Sequence, residues 1–318
     1  MQDEKVKVIY IAGAGRSGTT LLDILIGERK GYFSAGELRW IWWGGLIEGW
    51  QCGCTLPVRE CPVWNSIFEA AYGKRASELD AQRLLHLQQN TVRLHFLPRI
   101  LSKAPDRPLD WPELEEYASV WNRLYVGIAQ ATGARVVVDS SKNTPEAALL
   151  RLLPNVDPYV IHLVRDPRGV ANSFKRTVKM EPTATRTFDQ PRRSTAISSL
   201  IWARKNIAAD LARVRFPRDR MLMVRYEDVV ARPRETLERI AYFTGDTLDG
   251  LDYVDGRVAI LTTNHTAWGN PSRFRTGEIV LRPDDEWKSK LKTADRILST
   301  GLTLPLLLRY GFSLAPRS

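Results

Sequence analysis

The 318-residue sequence predicts an α/β protein: one three-layer domain over residues 1–318, with a central parallel sheet, helices on both faces and a mostly helical insertion over about residues 40–130. Three observations carry this. Short β-rich runs at 6–11, 135–139, 159–164 and 221–224 are each followed by a helix-like stretch, the alternation of parallel crossover units. The runs are mostly apolar rather than alternating, as strands covered on both faces require. Between the first unit and Arg135, helical patterns occur without a strand rhythm.

The first run ends in Gly13-Ala14-Gly15-Arg16-Ser17-Gly18-Thr19-Thr20, and Leu21, Leu22, Leu25 and Ile26 then share one side of a helix. Residues 31–64 are rich in glycine and aromatics, with Trp40, Trp42, Trp43, Trp50 and Trp64. They suit an apolar substrate wall or ordinary core packing. Residues 78–98 and 112–131 read as helices, separated by the breaker Pro105-Asp106-Arg107-Pro108. This insertion is large enough to shape a pocket. After 135–139, Thr144 can cap a helix that has Pro145 at its first position. Asp166-Pro167 starts another helix in the same way. The run at 221–224 leads through Arg225-Tyr226-Glu227-Asp228 to a helix over 233–243. Residues 286–299 read as an amphipathic helix, with Trp287, Leu291, Ala294 and Leu298 on one face.

Composition excludes more than it selects. With 44% hydrophobic and 26% charged residues, the chain is neither collagen-like, nor a coiled-coil rod, nor fully disordered. No apolar run reaches the roughly 18 residues of a membrane span. Met1-Gln2-Asp3-Glu4-Lys5 resembles no signal region, so a cytoplasmic protein without a transmembrane segment is expected. Arginine-rich composition suggests a bacterial, GC-rich genome. Net charge is +10 and concentrates over 165–193, where eight Lys/Arg face three acids. That suits a polyanionic ligand. No RNA motif and no terminal basic tract is present, so nucleic acid is not an expected partner.

Cys52, Cys54 and Cys61 form C-x-C-x6-C. An odd count without a secretion signal argues against a disulfide framework. Zinc needs a fourth ligand, and no histidine follows at finger-like spacing. A metal site, a redox pair and plain buried or loop thiols stay open. The last is expected, with no metal.

The glycine loop nearly spells a Walker A motif. Gly13 and Gly18 frame G-x-x-x-x-G, and Thr20 holds the hydroxyl position, but Thr19 replaces the lysine. A P-loop-like phosphate site survives in the loop amides at a helix N-terminus, with Arg16 as a new charge. Beyond this, Gly15-Arg16-Ser17-Gly18-Thr19-Thr20 resembles the 5′-sulfophosphate loop of sulfotransferases that use 3′-phosphoadenosine 5′-phosphosulfate (PAPS). Leu163-Val164-Arg165-Asp166-Pro167-Arg168-Gly169-Val170-Ala171-Asn172-Ser173-Phe174 resembles their 3′-phosphate motif, which implies that Arg165 and Ser173 hold one phosphate. Glu37 lies 21 residues after Arg16 and is similar to the catalytic glutamate of protein-tyrosine sulfotransferases. Lys142, after Asp139-Ser140-Ser141, resembles the family lysine near the transferred group. Tyr226 resembles a nucleotide-contacting tyrosine. Asn264-His265 and Gly269-Asn270-Pro271-Ser272-Arg273-Phe274 resemble a late loop of bacterial members. His265 and Arg273 there become candidates for the 3′-phosphate, although the Arg-Lys-Gly triplet of cytosolic members is absent.

The resemblance implies transfer of a sulfuryl group from PAPS to an acceptor hydroxyl, without a metal, leaving adenosine 3′,5′-bisphosphate (PAP). Glu37, Arg16 and Lys142 would be catalytic. Gly15 to Thr20, Arg165, Ser173, Tyr226, His265 and Arg273 would bind the nucleotide. A small molecule or glycan is the expected acceptor, with a peptide as the other choice. Two alternatives remain at this level: a P-loop phosphotransferase using ATP, and a nucleotide- or nucleic-acid-binding protein without turnover.

Overall fold

Strands β1 (Val6–Gly13), β2 (Tyr32–Gly36), β3 (Val136–Asp139), β4 (Val156–Val164) and β7 (Met221–Arg225) form one parallel sheet in the order β2-β3-β1-β4-β7. A hairpin of β5 (Lys179–Met180) and β6 (Phe188–Asp189) and an antiparallel sheet of β8 (Val254–Asp255), β9 (Val258–Leu261) and β10 (Gly277–Val280) lie outside it. This is a computed structural model, and it describes residues 5–105, 107–183 and 186–314. Met1 to Glu4 and Asp106, read above from sequence, lie outside the described residues.

The helices follow the strands in the expected alternation. They are α1 (Thr19–Gly27), α2 (Pro62–Tyr72), α3 (Ala81–Thr91), α4 (Leu97–Leu101), α5 (Pro112–Thr132), α6 (Thr144–Leu150) and α7 (Pro167–Lys175). Then come α8 (Thr195–Arg213), α9 (Tyr226–Ala231), α10 (Pro233–Phe243), α11 (Trp287–Lys290) and α12 (Thr293–Arg309). None is long and apolar enough to cross a membrane, among the described residues.

The central strand shows why its sequence does not alternate. Val8, Tyr10 and Ala12 of β1 join one core with Leu124 and Ile128 of α5 and Ala208 and Ala209 of α8. Ile9 and Ile11 face the opposite core, against Leu22 and Leu25 of α1 and Leu237 and Ile240 of α10. Both faces are dry, so both sets of side chains must be apolar, each buried Val, Leu or Ile contributing about 1.5–3 kcal/mol. Between β2 and β3, α2 packs on α5 so closely that a Cβ on Gly127 would lie 2.6 Å from Ala71 Cβ.

Four local expectations are corrected. β2 sits in the stretch that showed no strand rhythm. It is five residues long at the sheet edge, and only Tyr32 and Phe33 carry β propensity. The helix read over 78–98 is broken. Asp80 caps α3 by accepting from the Arg83 N–H at 3.0 Å, and a short turn precedes α4, which carries Pro98 in its first turn. Asn143, not Thr144, is the residue before α6. The helix read over 286–299 is interrupted where Leu291 and Lys292 adopt extended backbone, separating α11 from α12.

The chain runs from β1 to one side, through β2 and β3, and then returns to the other side of β1 for β4 and β7. Such a reversal opens a crevice at the carboxyl ends of the strands, where ligands bind in open α/β sheets. The glycine loop leaves β1 at that point.

Candidate active site

The loop after β1 is shaped by backbone before side chains. Arg16 adopts a left-handed φ of 66° and Gly18 one of 85°. A Cβ on Gly18 would meet Tyr226 Cδ2 at 2.3 Å, so glycine is what lets the tyrosine ring cover the loop. No side chain caps α1, which leaves its first N–H groups to an anion. Arg16 Nε and Ser17 Oγ are buried and have no hydrogen-bond partner among the described residues. Burial lowers the Arg16 pKa, and the nearby Arg176 and Arg165 guanidiniums lower it further. An anion placed among them would relieve both effects.

Three more strand ends converge there. Glu37 follows β2, and its N–H donates to the Trp268 carbonyl at 2.9 Å. Its carboxylate takes the Lys142 ammonium on Oε1 and the Trp40 indole N–H on Oε2 at 3.2 Å. Lys142 follows β3 on a left-handed φ of 61°, with its N–H directed to the Ile11 carbonyl of β1 at 3.3 Å. Beneath this pair, the Asp23 carboxylate of α1 accepts from the Ser34 and Ser140 hydroxyls and so ties α1, β2 and the loop after β3 together. Burial pushes Asp23 up to about 7, against the two serine bonds.

Arg165 closes β4. Its Nη1 donates to the Arg16 carbonyl at 2.9 Å, its guanidinium lies 4.5 Å from the Tyr226 ring centre, and its Nη2 pairs with Asp284 at 2.8 Å. Arg176 holds the same carboxylate at 2.6 Å. Burial alone would raise the Asp284 carboxyl, but the two guanidiniums outweigh it and hold the group below the usual carboxylate range. The Trp202 indole fixes the Arg165 carbonyl at 3.0 Å.

A cavity of about 970 Å³ spans these groups. Gly15, Arg16, Gly18, Thr19 and Thr20 line it from the loop. Glu37 and Lys142 line it from β2 and β3, and Arg165, Ser173 and Tyr226 from β4, α7 and α9. Ser17 lies behind the loop, fully buried. Trp40, named above for a substrate wall, and Asn270 and Ser272 of the late loop also line the cavity, and sequence reasoning assigned no role to three further lining residues, Trp268, Arg275 and Arg282. Asn270 is anchored by its N–H on Thr20 Oγ1 at 3.2 Å. Trp268 and Arg275 flank the late loop, and Arg282 lies beyond it, where no local pattern marked it.

His265 and Arg273, expected at the 3′-phosphate, do not line this cavity. Arg273 is fully buried; it donates to the Gln51 carbonyl at 2.8 Å and stacks on Trp268 and Phe274. Burial lowers its pKa to about 10. His265 points at the cysteines, with Nδ1 3.6 Å from Cys52 Sγ and 3.4 Å from Cys61 Sγ. The fourth donor that local spacing lacked is therefore supplied by the fold.

Comparison with known proteins follows the same lines. The chain resembles the solved sulfotransferase domain of the Synechococcus PCC 7002 olefin synthase, at 21% identity and a TM-score of 0.51, covering 96% of each chain. It resembles the sulfotransferase domain from the curacin biosynthetic pathway at 19% identity and a TM-score of 0.51, covering 97% of this chain and 99% of that one. At these identities the likeness is one of fold. A comparison with curated proteins finds no match. The model of the sulfotransferase family matches residues 9–249, which hold most of the sheet and the glycine loop, Glu37, Lys142, Arg165 and Tyr226 but not the late loop, and the chain belongs to that family.

Proposed function

We propose that this protein transfers a sulfuryl group from PAPS to an acceptor hydroxyl. The observation that supports this most is the convergence of Arg16, Glu37, Lys142 and Arg165, from four strand ends, on one cavity. The residues suit the donor. A glycine loop at a helix N-terminus, with buried unpartnered polar atoms, fits the 5′-phosphate side. Arg165 and Ser173 fit the 3′-phosphate. A donor with about four negative charges also fits a chain of this positive charge.

In the reaction, the acceptor oxygen bonds to sulfur as the bond from sulfur to the 5′-phosphate oxygen breaks. Glu37 takes the acceptor proton, and the electron pair leaves on PAP. Arg16 and Lys142 stabilise charge growing on the sulfuryl and leaving oxygens, so the transfer itself needs no metal. Trp40 and Trp268 give the acceptor side an aromatic wall. A small molecule or glycan is the acceptor class we favour, because indoles pack on either. No observation favours the ATP-dependent alternative, whose lysine is Thr19 here.

Calorimetric titration with PAP, adenosine 5′-phosphate and ATP with magnesium tests the donor site. PAP is expected to bind at least about tenfold more tightly than the nucleotide without a 3′-phosphate, and Arg165→Ala to abolish that preference. Equal binding of the two, or magnesium-dependent preference for ATP, overturns the reading. Transfer of label from PAPS to a panel of hydroxyl acceptors then identifies the substrate.

A further inference from the structure

Two chain segments about 200 positions apart deliver three thiols and an imidazole to one point. The Sγ atoms of Cys52, Cys54 and Cys61 and the His265 ring nitrogen all lie within 4.8 Å of one another. We propose that these four residues bind one structural zinc ion, which staples the late loop to the wall of the cavity.

The distances fit the ion. Tetrahedral zinc, with sulfur at about 2.3 Å and nitrogen at about 2.0 Å, sets S···S edges near 3.8 Å and S···N edges near 3.6 Å. Cys54 and Cys61 are 3.7 Å apart, and His265 Nδ1 lies 3.6 Å from Cys52 and 3.4 Å from Cys61. A disulfide does not fit: its sulfurs would be about 2.05 Å apart, and all three cysteines are free. A tetrahedral set of three sulfurs and one nitrogen matches zinc among common metals. Four protein donors leave no open position, so the site is structural.

Contacts of the protein's own hold the two segments in place. The turn at Cys52 is closed by the Cys52 N–H on the Leu56 carbonyl at 2.7 Å and by the Thr55 N–H on the Cys52 carbonyl at 2.8 Å. Gly53 donates to the Thr266 carbonyl at 3.0 Å, and a Cβ there would lie 2.0 Å from Asn264 Oδ1. The Trp64 indole holds the His265 carbonyl at 2.9 Å. The backbones of both segments thus meet beside the donors.

The staple bears on the cavity. Trp268 follows His265 by three residues, stacks on Trp50 at 3.9 Å between ring centres, and accepts the Glu37 N–H. Losing the ion should loosen this wall without removing any residue that lines the cavity.

The full-length chain, purified under reducing conditions without added metal, is analysed by elemental mass spectrometry. The expected content is about one zinc per chain, released by a mercurial thiol reagent. Cobalt should replace it with the visible spectrum of a tetrahedral thiolate site. Cys54→Ser, at the most exposed cysteine, should weaken zinc binding by at least about tenfold. A reduced chain that carries less than about a tenth of an equivalent and takes up neither zinc nor cobalt overturns the proposal. So does zinc whose affinity Cys54→Ser and Cys61→Ser both leave unchanged. Metal content is read without turnover, so this outcome is independent of the sulfuryl-transfer reading.

Discussion

Glu37 and Lys142 form an ion pair that joins the end of β2 to the end of β3 at the cavity wall. The lysine reaches it from a left-handed backbone, a conformation that costs a non-glycine residue about 1 kcal/mol or more. The Trp40 indole holds the other carboxylate oxygen. Glu37→Gln keeps an oxygen for that indole but cannot take up a proton. We expect turnover with PAPS to fall by about 10²–10⁴, while PAP affinity changes less than about threefold. Parallel loss of PAP binding and thermal stability would instead make Glu37 a structural acid, and the base would have to be sought elsewhere.

Arg165 and Arg176 share the Asp284 carboxylate. A 3′-phosphate on Arg165 has to compete with that carboxylate or lie beside it, and like charges at such range repel. Asp284→Asn removes the competing charge and keeps the side-chain shape. PAP should bind about three- to tenfold more tightly to this variant, with a larger gain at low salt. Weaker PAP binding would mean that Asp284 orients Arg165 for the nucleotide rather than opposing it.

Gly18 and Tyr226 are matched by space. An alanine at 18 would drive its Cβ into the ring at 2.3 Å from Cδ2 and 2.6 Å from Cε2, on a φ of 85°. Gly18→Ala should therefore cost at least about thirtyfold in PAP affinity. Adding Tyr226→Ala removes the clash but not the backbone strain. The double variant should recover part of the loss, and calorimetry on all four proteins measures it. Full additivity of the two substitutions would show that the ring is not what Gly18 accommodates.

What was legible in the sequence was local. The glycine loop and Arg165 sit at strand–helix junctions, with Ser173 about two turns into the helix that follows, and each motif is written in about a dozen consecutive residues. Glu37 was visible as a residue but its strand was not, because β2 has five residues at the sheet edge and no apolar run. The pairing of His265 with Cys52 and Cys61 spans more than 200 positions, and no spacing rule reaches that far. Arg273 shows where an argument from charge stops. A basic residue in a glycine-containing loop suggested an anion contact; its Nη2 donates to the Gln51 carbonyl and its guanidinium lies against two aromatic rings, while Nε and Nη1 have no hydrogen-bond partner among the described residues. Charge alone does not reveal whether a guanidinium faces a ligand or the protein's own backbone.

Asp23 gives the fold a pH dependence opposite to that of most carboxylates. Its side chain is fully buried and held by Ser34 and Ser140. Burial raises its pKa from 3.8 to about 7; neighbouring Glu37 adds to the rise and Lys142 opposes it. Between about pH 4 and pH 7 the folded chain keeps a proton that the unfolded chain gives up. This group's contribution is thus most favourable below the unfolded value and is lost as pH rises through about 7. Asp23→Asn cannot ionise, and its amide can still bond both serine hydroxyls, with the oxygen accepting from one and the nitrogen donating to the other. The variant should gain stability relative to the native protein as pH rises, by about 2–3 kcal/mol between pH 5 and pH 8. Urea unfolding of both proteins at the two pH values measures this. A stability difference that stays constant between them would mean that Asp23 is ionised throughout, held by the serine hydroxyls and Lys142 against the cost of burial.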